Sequence, residues 1–323
     1  MITRRRFFEM AAASAAFVET PCLRAQGYPA QPIRIIVGFA AGGNFDMVAR
    51  ILGHWLSERL RQPVLVENRP GAGSNIATEA VVNAAPNGYT LLLGGAVNAI
   101  NATLYEKLPF TFTRDLAPVA GVVRFPNVLT VSPSFPAENL VDFIAYAKSH
   151  PGKLSQGSSG NGTTQHLAGD LFKMMTGTDF AHIPYRGASQ AITDLLGGQV
   201  QVLFEPLPAS LPFIKAGKLR VLAVTSAARA EILPEVPAIG EHVPGYEASG
   251  WTGVFAPMKT PATEIGTLNA AINAGLTNTV ILAQFAELGA STMPSSPDEF
   301  ARLVAAETEK WSQVVRTGNI RPT

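Results

Sequence analysis

Cysteine is nearly absent from the 323 residues: Cys22 stands alone. It falls inside a stretch read below as a removable leader. The mature chain is therefore expected to carry no disulfide, no thiol nucleophile and no thiolate metal site. Charge is scarce as well: 15% of the residues are charged against 47% apolar, the balance of a packed globular chain rather than a disordered one. The 25 basic and 24 acidic residues nearly cancel, which leaves no basic footprint for nucleic acid. Beyond the N-terminus no apolar run reaches the ~18 residues of a membrane span. Signatures of reaction chemistry are missing too. Phe39-Ala40-Ala41-Gly42-Gly43 lacks the G-x-G-x-x-G order, and no G-x-x-x-x-G-K-[ST] run occurs. Neither Ser158 nor Ser159 is central in a G-x-S-x-G elbow. His54, His150, His166, His182 and His242 show no close metal-ligand spacing. No metal or cofactor is expected, and no catalytic residue is assigned.

What is present begins with an address. Thr3-Arg4-Arg5-Arg6-Phe7-Phe8 precedes a short Ala-rich apolar segment over residues 10–18, and Leu23-Arg24-Ala25 offers a small residue for cleavage. Residues 1–25 are read as a signal peptide with a twin-arginine flavour, which predicts a periplasmic protein. Glu9 and Glu19 weaken the apolar segment and leave the export route open. The alternative is a basic tail on a cytosolic chain. Glu19-Thr20-Pro21 before Cys22 is unlike a lipoprotein box.

The body has the length of about two domains and alternates strand and helix signals. Residues 33–39 (IRIIVGF) read as a buried strand. Gly42-Gly43 break it, and Asn44 is the expected cap of a helix carrying Val48, Ile51, Leu52, Trp55, Leu56 and Leu60. A strand at 63–66, a helix at 74–84 and a strand at 89–93 complete a βαβαβ order, which implies a parallel sheet with right-handed crossovers. A second series starts near Asn127: strand 128–131, helix 140–149, a strand at 153–157, a polar run, and a helix with Leu167, Leu171 and Met175 on one face. Strand 180–185, a helix capped by Ser189, alternating Val200, Val202 and Phe204, and strand 219–225 follow. Helices are expected at 263–278, 279–288 and 297–316.

Ligands of open α/β sheets sit outside the carboxyl ends of the strands. Three glycine-bearing loops occupy such ends: residues 39–46, 94–98 and 157–165. The first and third are expected to open helices, whose N-termini favour an anion. A pair of such termini is an anion clamp; ordinary βα-turn glycines are the plainer alternative for each loop taken alone. Asp46 either points into the cleft or caps its helix. Glu205 before Pro206, and Arg186 in Tyr185-Arg186-Gly187, are further cleft candidates, a turn residue and a solvated arginine being the plainer alternatives. His166, in the first turn after the third loop, is expected to orient that loop or pack rather than catalyse, and Trp251 to belong to the core, a pocket wall being the alternative.

Several blocks together resemble the tripartite tricarboxylate transporter substrate-binding proteins, the Bug receptors. They are Val37-Gly38-Phe39-Ala40-Ala41-Gly42-Gly43 with Asp46, the run from Val66-Glu67-Asn68-Arg69-Pro70-Gly71-Ala72-Gly73 to Ile76, and Ala85-Pro86-Asn87-Gly88-Tyr89-Thr90. His166-Leu167-Ala168-Gly169-Asp170, Pro184-Tyr185-Arg186-Gly187 and Asp194-Leu195-Leu196-Gly197-Gly198-Gln199 continue the match over nearly the whole mature chain. The resemblance implies a two-lobed type II periplasmic-binding fold, its parallel-sheet lobes joined by two crossover segments. Lobe 1 would span 26–124 and 229–323, lobe 2 125–228, and the crossovers would lie near 124–130 and 222–228. It implies a cleft for a small organic carboxylate, clamped by the loop of Phe39, Ala41, Gly43, Asn44, Phe45 and Asp46. The opposing clamp would hold Ser158, Ser159, Asn161, Gly162, Thr163 and Thr164. Gly95, Val97, Asn98, Tyr185, Arg186, Gly187 and Glu205 would complete the lining.

Three positions depart from the family pattern. Phe45 replaces a small hydroxyl residue, Glu205-Pro206 an Asp-Asn pair, and Ala96-Val97 a polar Thr-His neighbourhood. Phe45 and Val97 are expected to make the pocket more apolar or aromatic. Partners implied are transporter permease subunits, or a membrane sensor kinase to which the ligand is presented, with the receptor itself a monomer. An exported enzyme using Asp46, Glu205 or His166 as acid or base is the rival reading.

Overall fold

The computed structural model describes residues 27–185, 188–318 and 320–321. The expected leader with Cys22, and Arg186 and Gly187, lie outside these residues. The strands in chain order are β1 (Ile33–Val37), β2 (Val64–Asn68), β3 (Thr90–Gly95), β4 (Leu116–Phe125), β5 (Asn127–Val131), β6 (Leu154–Ser158), β7 (Phe180–Pro184), β8 (Val202–Pro206), β9 (Arg220–Val224), β10 (Gly250–Pro257) and β11 (Ser291–Thr292). They form two sheets, ordered β11-β4-β10-β3-β1-β2 and β7-β6-β8-β5-β9.

The parallel part of the first sheet follows from its hydrophobic pattern. Ile33, Ile35, Ile36 and Val37 are buried on both faces of β1, which lies parallel to β2 and β3. Helices Asn44–Leu60 and Asn75–Val82 make the crossovers. The first buries Val48, Leu52 and Leu56, one turn apart, on the sheet and ends where Arg61 turns left-handed. β6 is likewise parallel to β7 and β8.

The two-sheet α/β architecture is the expected one, but the sheets are mixed rather than wholly parallel. β10 runs antiparallel to β3 and β4, and β5 antiparallel to β8 and β9. The chain passes from β4 to β5 through Pro126 alone, with no helix to reverse its direction. β4 and β10 themselves are unannounced by the sequence pattern, because Pro118, Gly121, Gly250, Gly253 and Pro257 interrupt their β-formers. The helix Ala96–Leu104 is also additional, so the second glycine loop opens a helix as the other two do. Asn44 is the first residue of its helix, with Gly43 as cap, and Ser189 lies inside the helix Ala188–Leu196.

The two connections between the sheets are bonded side by side. Asn127 N–H donates to Thr225 Oγ1 at 2.9 Å, and Thr225 N–H donates back to the Asn127 carbonyl at 2.9 Å. Asn127 Nδ2 and Thr225 Oγ1 both donate to the Ala248 carbonyl, at 3.1 Å each. Asn127 is fully buried. Behind them one hydrophobic cluster runs from Leu92 and Phe255 of the first sheet through Trp251 and Tyr246 to Phe172 and Phe204.

Candidate functional site

A cavity of about 570 Å³ opens between the two sheets, within the usual size range of small-molecule pockets. It lies at the carboxyl ends of β1, β3, β6 and β8, where the chain leaves each strand for a helix. From the first sheet come the loop after β1, Ala96, Val97, Phe125, Gly250 and Trp251. From the second come Ser159, Thr163, Thr164 and Gln165, then Ala188, Ser189 and Ile192, then Pro206, Pro208, Ala209 and Phe213.

Of the residues expected at the site, Phe39, Ala41, Gly43, Asn44, Phe45, Val97, Ser159, Thr163 and Thr164 line this cavity. Asp46, Gly95, Asn98, Ser158, Asn161, Gly162, Tyr185 and Glu205 do not, and Arg186 and Gly187 fall outside the described residues. Most of those set back hold the lining in place.

Asp46 neither enters the cavity nor caps its helix through a side-chain bond. Its carboxylate accepts the Gly42 N–H at 2.8 Å, Arg50 Nε at 2.9 Å and Asn68 Nδ2 at 3.0 Å. Asn68 Nδ2 also reaches the Phe39 carbonyl at 3.0 Å. Both ends of the loop are thus tied to β2. Gly42, at φ +81, makes the turn that aims the helix start at the cavity. Burial pushes the Asp46 carboxyl up, but the bonds from Arg50, Gly42 and Asn68 outweigh it and hold it below the usual range. Asn98 does similar work for the second loop: Oδ1 accepts the Gly95 N–H at 2.8 Å, and Nδ2 donates to Thr78 at 2.8 Å.

The third loop rests on a histidine pair. Gly162, at φ +71, donates its N–H to His166 Nδ1 at 3.3 Å, and His166 Nε2 lies 3.0 Å from Asp170. The His182 ring stacks on His166 with centroids 3.7 Å apart, and its Nε2 is 2.7 Å from Ser158 Oγ. Burial, then the neighbouring His166, push His182 down to about 3, so it is neutral at physiological pH. Thr163 caps the helix Thr164–Thr176, accepting the His166 N–H and donating to the Gly160 carbonyl. His166 therefore packs behind the loop, as its position suggested. The Tyr185 hydroxyl donates a hydrogen bond to Asp194 at 2.7 Å.

The wall facing these polar loops is apolar. Phe39 and Phe45 pack with centroids 4.6 Å apart, and a Cβ on Gly95 would run into Phe45 and the Trp251 carbonyl. Trp251 is both wall and core, 1% exposed with its Nε1 donating to Glu307 at 3.1 Å. Among the described residues the lining holds no Asp, Glu, Lys, Arg or His. The three acid/base candidates of an enzymatic reading, Asp46, His166 and Glu205, are each set behind the lining and bound to a neighbour. No group of three potential metal ligands occurs among the described residues, and no described helix is long and apolar enough to cross a membrane.

The lining from helices Ala188–Leu196 and Leu207–Lys215 escapes a reading of the sequence, because their apolar faces look like ordinary core. The signal available was position: both begin near the carboxyl ends of strands, as the recognised loops do.

Comparison with known proteins adds the following. The family described as the tripartite tricarboxylate transporter family receptor, TctC, matches residues 48–320. Protein BugT of Bordetella pertussis is 39% identical over 295 residues, covering 90% of each chain. The solved structure of Rpa4515 of R. palustris with adipate superposes with TM-score 0.85 at 36% identity, covering 92% of this chain and all of that one. MatC of Rhodopseudomonas palustris with bound malate gives TM-score 0.80 at 31% identity, over 89% of this chain and all of that one.

Proposed function

Because the chain belongs to the tripartite tricarboxylate transporter receptor family, we propose that it is an extracytoplasmic solute receptor. It holds one small organic carboxylate in the cavity between its sheets and delivers it to the membrane subunits of such a transporter. One observation carries this reading: two helix N-termini, Asn44–Leu60 from one side and Thr164–Thr176 from the other, meet at one cavity whose lining, among the described residues, carries no charge. The first amides of a helix have no acceptor within it, and each terminus carries partial positive charge. An anion supplies both with a partner. Solved relatives carrying adipate or malate support a carboxylate.

The clamp is the loop 39–46 against residues 158–164. Lobe 1 is read as 26–124 with 229–323 and lobe 2 as 125–228, turning about the paired connections at Asn127 and Thr225. Closure brings both termini onto the same carboxylate, a hinge movement selected by the ligand. Residues 1–25 act as the export leader, which puts the receptor in the periplasm.

Phe39, Phe45, Val97, Ile192, Phe213 and Trp251 cover the remainder of the ligand, so its body is apolar. Burying an aromatic ring there is worth ~1.5–3 kcal/mol. A thermal-shift panel of benzoate, phenylacetate, adipate and malate on the chain from Gln26 tests this. At a hundred times its Kd a ligand adds ~2.7 kcal/mol of stability, a rise of roughly 5 °C for a chain of this size. An aromatic acid should give the largest rise and be recovered unchanged. Turnover of the acid, or no rise with any of the four, would contradict the reading. Phe45→Ser should weaken benzoate about tenfold in calorimetric titration, equivalent to ~1.4 kcal/mol of lost apolar contact, and leave malate unaffected. Equal losses for both acids would mean that Phe45 does not set the preference.

A further inference from the structure

Glu205 lies on β8, one residue before the cavity-lining Pro206, and is fully buried. Its Oε2 accepts the hydroxyl proton of Ser159, itself a lining residue, at 2.9 Å, while Oε1 is buried with no partner. A buried carboxylate with one neutral hydrogen bond and, among the described residues, no paired cation is a costly arrangement. It becomes costlier when a second anion enters the cavity alongside.

Among the described residues the surrounding charges do not offset it. Val202 and Phe204 of β8 face the cluster that includes Phe172, so side-chain alternation puts Glu205 on the other face of the sheet. His166, His182, Asp170 and Lys173 lie on the Phe172 side, since His182 pairs with Gln156 and Gln156 with Val202. On Glu205's own face the covering helices carry Asp194, which holds Tyr185, and the exposed Lys215, while the segment packed beside Val128 carries Arg229 and Glu241, paired with each other, and the exposed Glu231 and Glu235. The opposing strand places Val128 against Glu205.

Resting on the receptor reading above, we infer that Glu205 is a proton site linked to ligand binding: the receptor takes up its carboxylate together with a proton on Glu205, through Ser159. A serine hydroxyl has one proton. With Glu205 ionised, Ser159 must spend that proton on Oε2 and turns lone pairs towards the cavity. With Glu205 protonated, its own O–H donates to Ser159 Oγ, and the serine proton is released to the ligand carboxylate. Oε1 is then a neutral carbonyl, which tolerates burial far better than half of an anion. The proton moves from solvent to the Glu205 carboxyl, and no bond between heavy atoms changes. Burial raises this carboxyl to about 8, against the opposing effect of the Ser159 bond, so the switch falls within reach of experiment. Glu205 is here a positioning residue, acting on the ligand through the orientation of Ser159.

The test is the affinity for benzoate and adipate between pH 6.5 and 9.5. For the full mature chain Kd should rise about tenfold per pH unit above pH 8, the slope for one linked proton. Titration at pH 8.5 in phosphate and in Tris, whose ionisation heats differ, should report uptake of roughly half a proton or more per ligand. Glu205→Gln cannot ionise, so its affinity should vary less than about twofold over the same range. Should that variant fail to fold, Ser159→Ala leaves the buried carboxyl in place and removes the hydroxyl between it and the ligand, so the profile should become shallower, with only direct repulsion between the two anions left. A flat profile in the unaltered protein, or an unchanged slope in Ser159→Ala, overturns the inference and leaves the receptor reading standing. No binding of either acid at any pH overturns both.

Discussion

Asp46→Ala is expected to weaken carboxylate binding by about 30–100-fold, although the side chain does not line the cavity. The loop it supports presents Gly43, Asn44 and Phe45 to the ligand. Its carboxylate is the common acceptor of Gly42, Asn68 and Arg50. Asn68 in turn holds the Phe39 carbonyl, so one substitution frees both ends of the loop. Hydrogen bonds to a charged group are worth ~1.5–3 kcal/mol each, and the ordering they provide must otherwise come from binding energy. Asp46→Asn keeps one acceptor oxygen and should lose less. Calorimetric titration of the three proteins checks the ranking. Because Asp46's carboxyl is held below its unfolded value, its contribution is present above about pH 4 and is lost as pH falls through the folded value. Loop order should therefore weaken on the acid side, whereas Glu205 weakens binding on the alkaline side.

Glu307→Ala should cost about 3–5 kcal/mol of stability, the largest single loss expected among these substitutions. Glu307 Oε2 accepts two indole protons, from Trp251 at 3.1 Å and Trp311 at 3.0 Å, while Oε1 meets Lys310 at 3.2 Å. Trp251 is 1% exposed and Trp311 fully buried. Removing the acceptor strands two N–H groups away from water, at ~1–3 kcal/mol each. Glu307→Gln can place its amide oxygen at the same point and should lose under half as much. Denaturant unfolding distinguishes the two. A loss below about 1 kcal/mol for the alanine variant, less than one stranded donor costs, would mean that the indoles find other acceptors. Since Trp251 also walls the cavity, the alanine variant should bind more weakly too.

Legibility followed the range of the interactions. The βαβαβ opening was readable because β1 and its helix carry strong, local hydrophobic periods. The clamp loops were readable because glycines at strand ends have a geometric meaning, and the family resemblance reinforced them. β4 and β10 were not, since their glycines and prolines suppress any strand pattern and only pairing across the sheet stabilises them. The same holds for long-range partners. Nothing local connects Trp251 with Glu307, or Asn127 with Ala248, and these contacts decide where the wall and the connections sit. Asp46 was recognised as important, but its direction, back towards Asn68 rather than into the cavity, depends on β2 lying beside β1. Phe45 and Val97 were read as an apolar shift in the pocket, and both line it.

The central claim is that one carboxylate is held at once by helix N-termini from both sheets. Backbone amide NMR of the labelled mature chain, titrated with benzoate, tests it most directly. The account predicts that the amide protons at 43–45 and 164–165 move downfield together, with one common Kd, as they acquire a charged acceptor. Movement of only one set, or binding with neither set perturbed, would contradict it.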